Sequence, residues 1–361
     1  MIRVLQVVTH MNRGGLETML MNYYRKIDRS QIQFDFLTHR PYDGDYGKEI
    51  KELGGVIYHL PRMNPYSITY RQALKRFFEE NSEYKIVHVH QDCMSSVILK
   101  EAQRQGIPVR IAHSHTSSQD KNWKYIVKVL FKRKISKYAT DLMACGNQAG
   151  KWMFGNNKYQ ILNNAIDARR YSFNLDIRRQ KRKELGIGDD ELLLGHVGRF
   201  SYPKNHNFLI DIFQNISSGT KAKLLLVGDG ELRGQIEAKV QKLGLSDRVI
   251  FTGLRADVAE LMQAMDVFVF PSNYEGLPVT MVEAQAAGLP CFISTNVPAE
   301  CILTTLVKQI ALSEGAEKWA DIILAGDKKR LDTYETIKEQ GFDIIENAKW
   351  LQDYYSRKAM I

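Results

Sequence analysis

The alternation of apolar and polar segments along the chain predicts two series of strands and helices. Short apolar runs bounded by polar or turn-forming residues predict buried parallel strands. In the first half these are Val4–Val8, Phe34–Thr38, Val56–Leu60, Ile86–Val89, Val109–His113 and Leu142–Cys145; in the second half they are Leu192–Val197, Lys223–Val227, Val249–Thr252, Val267–Phe270 and Cys291–Ser294. Helical patterns lie between them, including Glu17–Ile27, Ile68–Asn81, Ser95–Gln105, His206–Ile216, Glu231–Leu243, Val258–Ala264 and Val279–Ala287.

This repeated alternation indicates right-handed βαβ units and mostly parallel sheets. With 361 residues, the chain is long enough for two domains. The fold class we expect is α/β, with two Rossmann-like domains that face each other across a deep cleft. The segment 160–167 ends the first series, so the first domain should span residues 1–165 and the second should begin at residue 166.

Charge and composition narrow the function classes. Residues 1–172 contain 27 Lys and Arg against 15 Asp and Glu, whereas the remainder contains 23 against 26, so the net charge of +9 comes entirely from the first half. Such asymmetry suggests nucleic acid, a membrane surface or an anionic substrate as a partner. No apolar run reaches the ~18 residues of a membrane span, and the N-terminus has no secretory pattern. The four scattered cysteines favour a cytosolic protein with reduced thiols.

The loop 271–278 carries the strongest indication of a binding site. It follows an apolar strand, so Glu275 lies where open α/β sheets bind ligands. The amides around Gly276 and Leu277 precede a helix, and helix N-termini favour anions. Glu283 on that helix could accept hydrogen bonds from two neighbouring hydroxyls. Glutamates in loops are usually solvated charges, but the position at a strand end favours contacts with a sugar, a diphosphate and a ribose.

Two cations follow the strand Leu192–Val197 in the same manner. Arg199 and Lys204, just after Gly198, suit the charge of a diphosphate, although solvated surface charges are an equally ordinary interpretation. Near the N-terminus, Gly14 and Gly15 open a helix and would let the backbone approach a ligand closely.

The sequence contains no complete nicotinamide fingerprint. Gly228-Asp229-Gly230 continues with Glu231, Leu232 and then Arg233 where the motif has its third glycine. The stretch 111–117 carries His113 and His115, a pair that could bind zinc, but no third ligand is evident nearby and we predict no metal site. Alternation would place both histidines on one side of a strand. Asp43-Gly44-Asp45 lies in a polar stretch and is interpreted as a turn.

The segment 121–137 has seven basic residues and no acidic one. Trp123 and Leu130 share one face of the predicted helix, and Lys124, Lys128 and Lys132 share another. A basic amphipathic helix with an aromatic anchor indicates contact with an anionic membrane or a charged acceptor, while a core-packing helix with a solvated basic face is the alternative.

Taken together, these motifs resemble those of the retaining GT-B glycosyltransferases of glycosyltransferase family 4, over essentially the whole chain. The strongest match is the segment 275–290, which has two glutamates separated by seven residues. The stretches 14–17, 197–204, 227–230 and 164–167 match further motifs, although Ala165 stands where many members have glycine. In that family the last helix crosses back to the first domain, which would divide the chain into residues 1–165, 166–341 and 342–361.

The resemblance implies a role for each matching residue. Arg199 and Lys204 would hold the donor diphosphate, approached by the backbone of Gly14 and Gly15, with Gly198 and Gly228 in the supporting turns. Glu283 would bind the ribose, and Glu275, with the amides of Gly276 and Leu277, the transferred sugar. His115 matches the histidine near the reacting centre, with His113 as an alternative register. Thr295–Glu300 departs from the family's glycine-rich turn, so Glu300 receives no role.

The expected activity is therefore a hexose transfer, with retention, from a nucleotide-diphosphate sugar to a lipid-linked or oligosaccharide acceptor in surface or capsular polysaccharide biosynthesis. UDP is favoured over GDP by family frequency, and no metal or other cofactor is expected to be required. The protein would act in the cytoplasm at the inner face of the membrane, without nucleic acid. A UDP-sugar epimerase of the same architecture, phosphorylase-type chemistry and a nucleic-acid-binding protein are the alternatives.

Overall fold

The computed structural model describes residues 1–116 and 125–360, with only the backbone at residues 125–127. It contains two compact units. Unit 1 comprises Met1–Ala165 and Ile344–Ile361, and unit 2 comprises Ile166–Asp343. The chain therefore leaves unit 1, forms the whole of unit 2 and returns to unit 1 for its last helix.

Unit 1 is built on a seven-stranded parallel sheet in the order β3-β2-β1-β4-β5-β6-β7. Its strands are β1 (Ile2–Val7), β2 (Ile32–Thr38), β3 (Ile57–His59), β4 (Ile86–Val89), β5 (Val109–Ser114), β6 (Asp141–Ala144) and β7 (Gln160–Ile161). Its helices are α1 (Gly15–Lys26), α2 (Gly47–Glu52), α3 (Ile68–Glu80), α4 (Ser95–Arg104), α5 (Tyr125–Lys132), α6 (Ile135–Tyr138), α7 (Asn147–Phe154) and, at the end of the chain, α16 (Ile344–Ala359).

Unit 2 repeats this plan with a six-stranded parallel sheet in the order β10-β9-β8-β11-β12-β13. The strands are β8 (Leu192–Val197), β9 (Ala222–Val227), β10 (Val249–Gly253), β11 (Val267–Phe270), β12 (Cys291–Ser294) and β13 (Val307–Ile310). The helices are α8 (Ala168–Tyr171), α9 (Leu175–Glu184), α10 (His206–Ser217), α11 (Arg233–Lys242), α12 (Val258–Ala264), α13 (Val279–Ala286), α14 (Gly315–Ala325) and α15 (Tyr334–Glu339).

Continuous apolar strands explain why both sheets are covered by helices. All four residues of β4 and of β11 are buried, as expected for parallel strands with both faces in the core. In unit 2 the core includes Trp319 of α14. Its indole nitrogen donates to the Ala311 carbonyl at 2.9 Å, so this buried donor is satisfied. In unit 1, α16 packs against β1, β2, β4 and α1.

The predicted strands and helices are present in both units. The edge strands β7 and β13 were not predicted, because they are short and carry exposed residues, and their pairing depends on the neighbouring strand. The stretch around Asp43 is a turn, as predicted, with Gly44 at φ 80°. The four cysteines are thiols and are buried. Among the described residues, no helix combines the length and apolar character that crossing a bilayer requires.

The loops after β8 and β9 pack backbone against backbone. Gly198 donates its amide to the Val227 carbonyl at 3.0 Å, and Gly228 donates to the Gly253 carbonyl at 2.9 Å. Gly228 has φ 138°, and a Cβ atom built there would overlap the carbonyl group of Gly198. This position therefore requires glycine both for its conformation and for the space it occupies.

Gly228→Ala should lower the free energy of unfolding by at least about 2 kcal/mol, because the backbone of both loops must shift. Gly234→Ala is the matched control, since Gly234 lies exposed in α11 with open space around its Cβ position. That change should be neutral or stabilising by up to about 1 kcal/mol. Urea unfolding of the two variants checks both expectations; equal effects would contradict the assigned backbone contact.

Candidate active site

The order of the unit 2 sheet determines where a ligand can bind. β9 and β10 lie on one side of β8, whereas β11, β12 and β13 lie on its other side. The switch point is therefore between β8 and β11. Open α/β sheets bind ligands at the carboxyl ends of the strands at such a point. Arg199 and Lys204 follow β8, and Glu275 follows β11. Three predicted site residues therefore lie in the two loops that flank the switch point.

Hydrogen bonds hold these two loops together. The Asn273 amide donates to the Pro203 carbonyl at 2.7 Å, and its side chain donates to the Tyr202 carbonyl at 2.8 Å. In the other direction, the side chain of Asn205 donates to the Pro271 carbonyl at 3.1 Å. Asn205 has φ 53°, a left-handed conformation that asparagine tolerates better than most residues. The two loops consequently form one rigid edge.

An ion pair joins two of the predicted catalytic residues at this edge, Lys204 and Glu275. Lys204 Nζ lies 2.8 Å from Glu275 Oε1, and the side chains are only 16% and 10% exposed. The same ammonium group lies 4.6 Å from the centre of the Phe270 ring. Arg199 differs, because its side chain is 70% exposed and pairs with Glu231 at 3.0 Å. The edge thus offers one confined cation and one exposed cation.

Glu283 is a buried carboxyl group on α13, the helix that begins just after Gly276 and Leu277. Its Oε1 accepts a hydrogen bond from the Tyr171 hydroxyl at 2.6 Å. Burial raises the pKa of Glu283, while the Tyr171 hydrogen bond and the nearby Arg170 lower it. The carboxyl group is positioned by a neighbouring helix and retains a second oxygen that can bind a hydroxyl.

In unit 1 the switch point lies between β1 and β4. The glycine pair follows β1, with Gly14 as the N-terminal flanking residue of α1 and Gly15 as its first residue. A Cβ at Gly14 would overlap the carboxylate of Glu17, whereas Gly15 has open space around it. Glu17 is buried beside His10, with 3.3 Å between His10 Nδ1 and a carboxylate oxygen. Gly15 is thus the residue whose backbone a ligand could approach.

Both predicted histidines lie on the same side of one strand, since their ring centres are 4.0 Å apart. His113 is buried within β5, whereas His115 is half-buried just beyond its end. The sequence did not reveal their partners: His88 on the adjacent strand β4 and His90 just beyond its end complete a cluster of four imidazoles. His90 Nδ1 lies 2.8 Å from His115 Nε2. A second His-x-His pattern, at residues 88–90, was the available signal.

Within the described residues, His88, His90 and His113 are the one group whose spacing comes near that of a metal site, with nitrogens within 4.8 Å of one another. Ligand nitrogens around tetrahedral zinc lie ~3.3 Å apart, given bonds of about 2.0–2.1 Å. Both ring nitrogens of His90 already face hydrogen-bond partners, Gln6 and His115. Burial lowers the pKa of His88 and of His115 to about 3, so these rings are neutral at physiological pH.

The predicted membrane segment is described only in part. Trp123 and Lys124 lie outside the described residues. On α5, Leu130 is 52% exposed, while Lys132 donates to the Trp152 carbonyl at 2.6 Å and lies over the Trp152 ring. Lys132 is therefore held against unit 1. Lys128 is half-buried. Tyr66 and Ile68 are also exposed, and Tyr66 contacts Phe131 of α5 with 6.2 Å between ring centres.

A basic cleft of about 580 Å³ lies in unit 1 at the carboxyl ends of β2 and β3. Its walls are His39, Arg40, Pro41, His59, Leu60, Pro61 and Arg62. Arg40 donates to the carbonyl of His39 at 2.8 Å, and His59 Nε2 lies 3.0 Å from Asp43 Oδ1. An anionic group is the ligand that such a lining favours.

Comparison with known proteins identifies the family of the chain. Residues 13–170 match the family model described as Glycosyltransferase Family 4, and residues 177–340 match the model described as Glycosyl transferases group 1. The chain is 40% identical to EpsF of Bacillus subtilis, named as a glycosyltransferase, over 98% of this chain and 96% of that protein. The chain belongs to glycosyltransferase family 4. This family-4 glycosyltransferase is accordingly an enzyme of sugar transfer.

Two further relatives carry more specific names. The enzyme is 25% identical to the UDP-Gal:alpha-D-GlcNAc-diphosphoundecaprenol alpha-1,3-galactosyltransferase of Escherichia coli, over 62% of this chain and 61% of that protein. It is 23% identical to the capsular polysaccharide biosynthesis glycosyltransferase CapH of Staphylococcus aureus over the full length of both chains. The crystal structure of HepE from Anabaena, in complex with UDP and glucose, is similar at a TM-score of 0.82 and 18% identity, covering 99% of this chain and all of that chain. The α/β fold of the GT-B class is confirmed.

The buried Glu17 generates a pH prediction. Burial raises its pKa from 4.5 to about 7 in the folded protein, so the folded state binds the proton more tightly than the unfolded state between those values. Stability should therefore decrease as the pH rises through this window, by roughly 3 kcal/mol for the fully ionised group. Glu17→Gln should abolish that decrease and melt above the wild type at pH 8 but not at pH 4.5. Glu52→Gln, at an exposed glutamate of α2, is the control. Parallel melting profiles for wild type and Glu17→Gln would contradict the prediction.

Proposed function

We propose that this family-4 glycosyltransferase transfers a hexose from a nucleotide-diphosphate sugar, with UDP preferred over GDP, and with retention of anomeric configuration. The observation that carries the proposal is the Lys204–Glu275 ion pair at the switch point of unit 2, next to Arg199 and the N-terminus of α13. That arrangement combines cations for a diphosphate with a carboxylate for sugar hydroxyls. UDP is supported by the HepE complex and by the UDP-galactose named for the Escherichia coli relative.

The chemistry of the leaving group explains the cations. When the bond between the anomeric carbon and the diphosphate oxygen breaks, negative charge accumulates on the departing nucleoside diphosphate. Fixed cations and helix-end amides stabilise that charge more in the transition state than in the ground state. We assign this task to Lys204, Arg199 and the amides of Gly276 and Leu277, with Gly15 as a further backbone contact. Because protein cations perform it, we propose that no metal or other cofactor is required.

Glu275 is proposed as a sugar-binding group and not as a nucleophile. Its carboxylate is paired with Lys204 at 2.8 Å, which suits a hydrogen-bond acceptor fixed in orientation. The acceptor hydroxyl would attack on the face that the diphosphate leaves, form the new bond to the anomeric carbon and give its proton to the departing phosphate oxygen. His115 would make a polar contact to the reacting sugar. A glycosyl group trapped on Glu275 by a fluorinated donor would overturn this assignment, as would an inverted product.

For the acceptor, we propose a lipid-linked or oligosaccharide molecule that carries anionic groups, in the assembly of a surface or capsular polysaccharide. The basic cleft formed in part by Arg40 and Arg62 supports an anionic acceptor. The lipid carrier is supported by the diphosphoundecaprenol named for one relative, and the polysaccharide by the name of CapH. The exposed apolar side chains of Leu130, Tyr66 and Ile68 support peripheral contact with an anionic membrane, from the cytoplasmic side.

A thermal-shift screen tests the donor assignment. Purified protein is melted with UDP, GDP, UDP-glucose, UDP-galactose, UDP-N-acetylglucosamine, GDP-mannose and NAD. Ligand at 100 times its dissociation constant should stabilise by roughly 2.7 kcal/mol, and the shift should be restricted to one nucleotide family. Glu283→Ala should reduce it because the proposed ribose contact is lost. Glu317→Ala, at an exposed glutamate of α14, should leave it unchanged. No shift with any nucleotide sugar, from folded protein, would contradict the proposal.

Cosedimentation with vesicles tests the membrane assignment. Wild-type protein should sediment with vesicles that contain anionic phospholipid, and less so at high salt, because the attraction is partly electrostatic. Leu130→Asp should reduce binding by at least about tenfold, since a charge replaces an exposed apolar contact on α5. Leu324→Asp changes a comparably placed leucine, 37% exposed on α14 in unit 2, and should have no effect. Equal binding by both variants would show that Leu130 of α5 does not contribute to membrane binding.

A further inference from the structure

We propose that a buried hydrogen-bond chain, running from Tyr355 through Gln6 and His90 to His115, fixes the orientation and the tautomer of His115, so that these three are positioning residues for the transfer reaction. The proposal rests on the function proposed above only for its kinetic readout. This hydrogen-bond chain lies entirely in unit 1 and begins on α16, the helix that follows unit 2.

The four side chains are linked by consecutive contacts. Gln6 Nε2 lies 3.2 Å from the Tyr355 hydroxyl, and Gln6 Oε1 lies 2.9 Å from His90 Nε2. His90 Nδ1 lies 2.8 Å from His115 Nε2. The Tyr355 hydroxyl also lies 2.7 Å from His88 Nδ1. Gln6 and Tyr355 have no exposed surface and His90 has 4%, so solvent cannot substitute for a missing partner.

The direction of each hydrogen bond follows from the groups involved. The amide nitrogen of Gln6 can only donate, so the Tyr355 hydroxyl accepts from it. The amide oxygen can only accept, so His90 Nε2 must carry the proton. His90 is neutral because burial holds its pKa well below the ordinary value. Its Nδ1 is therefore a lone pair, which requires His115 to donate from Nε2.

His115 is consequently left with an unprotonated Nδ1. At the half-buried end of β5, this nitrogen can accept a hydrogen bond from a hydroxyl group, and because burial lowers the pKa of His115 to about 3 it stays available at neutral pH. The stacked rings of His113 and His88 limit rotation of the cluster, with ring centres 4.0 Å from His115 to His113 and 5.1 Å from His113 to His88. The buried hydrogen-bond chain thus selects one of the two neutral tautomers of His115.

Two adjacent tyrosines provide a matched pair of variants. Tyr355→Phe removes one oxygen at the start of the hydrogen-bond chain. Tyr354→Phe removes the same oxygen from the neighbouring residue of α16, whose ring stacks on Trp350. Gln6→Leu interrupts the chain in the middle. Nitrogen-15 spectra of histidine-labelled protein report the tautomer of His115 directly, without any substrate. Turnover and UDP affinity are measured on the same samples.

Wild type and Tyr354→Phe should show His115 in a single tautomer protonated at Nε2. Gln6→Leu and Tyr355→Phe should show a mixture, with kcat lower by up to about tenfold and UDP affinity unchanged, because neither residue is among the assigned nucleotide contacts. A His115 tautomer that is unaffected by Gln6→Leu would overturn the proposal, as would one equivalent of bound metal, since metal would occupy these ring nitrogens. If the tautomer changes in these variants but the wild type transfers no sugar, the proposed function is contradicted. The control of the His115 tautomer by the hydrogen-bond chain is then still supported.

Discussion

Both units depend on the constraint that parallel strands all end at the same edge of their sheet. Each connection must cross back over the sheet, so its helix covers one face and its loop returns to the same end. At a switch point the connections of the two central strands run in opposite directions, and ligands bind beside their loops. In unit 2, the loops after β8 and β11 carry Lys204 and Glu275, and in unit 1 the ends of β1, β4 and β5 carry the glycine pair and His115. The chemistry is a consequence of this topology.

Charges at these edges are arranged before any ligand binds. Lys204 lies against Glu275 and over the Phe270 ring, and Glu283 is held by Tyr171. In unit 1, the imidazoles are neutral and are oriented by an amide and a phenol. Groups that are already desolvated and fixed need little reorganisation when charge develops in a reaction, which is the main way that polar sites accelerate group transfer. This arrangement is unfavourable for the surrounding core, where both ring nitrogens of His113 are buried without a hydrogen-bond partner among the residues that the structure describes.

Much of this organisation could be predicted from the sequence because it depends on local patterns. Apolar runs revealed the central strands, and Glu275, Lys204 and Glu283 were identified by their positions after strands or on the following helix. The edge strands β7 and β13 could not be found, since both are short and their exposed residues interrupt the apolar run. The partners of His115 were also missed: Gln6 and Tyr355 are 349 positions apart, and only the folded sheet brings them together. Local periodicity contains no information about such contacts.

The return of α16 to unit 1 has a consequence for biosynthesis. β1, β2 and β4 are completed within the first 89 residues, yet the helix that packs on them follows the whole of unit 2 in the sequence. In many proteins the N-terminal domain folds first during synthesis. Here unit 1 cannot complete its fold until unit 2 and α16 have been synthesised. Unit 2 is encoded without interruption and can finish folding while unit 1 still exposes an apolar surface. Transiently exposed apolar surface of this kind makes a folding intermediate prone to aggregation.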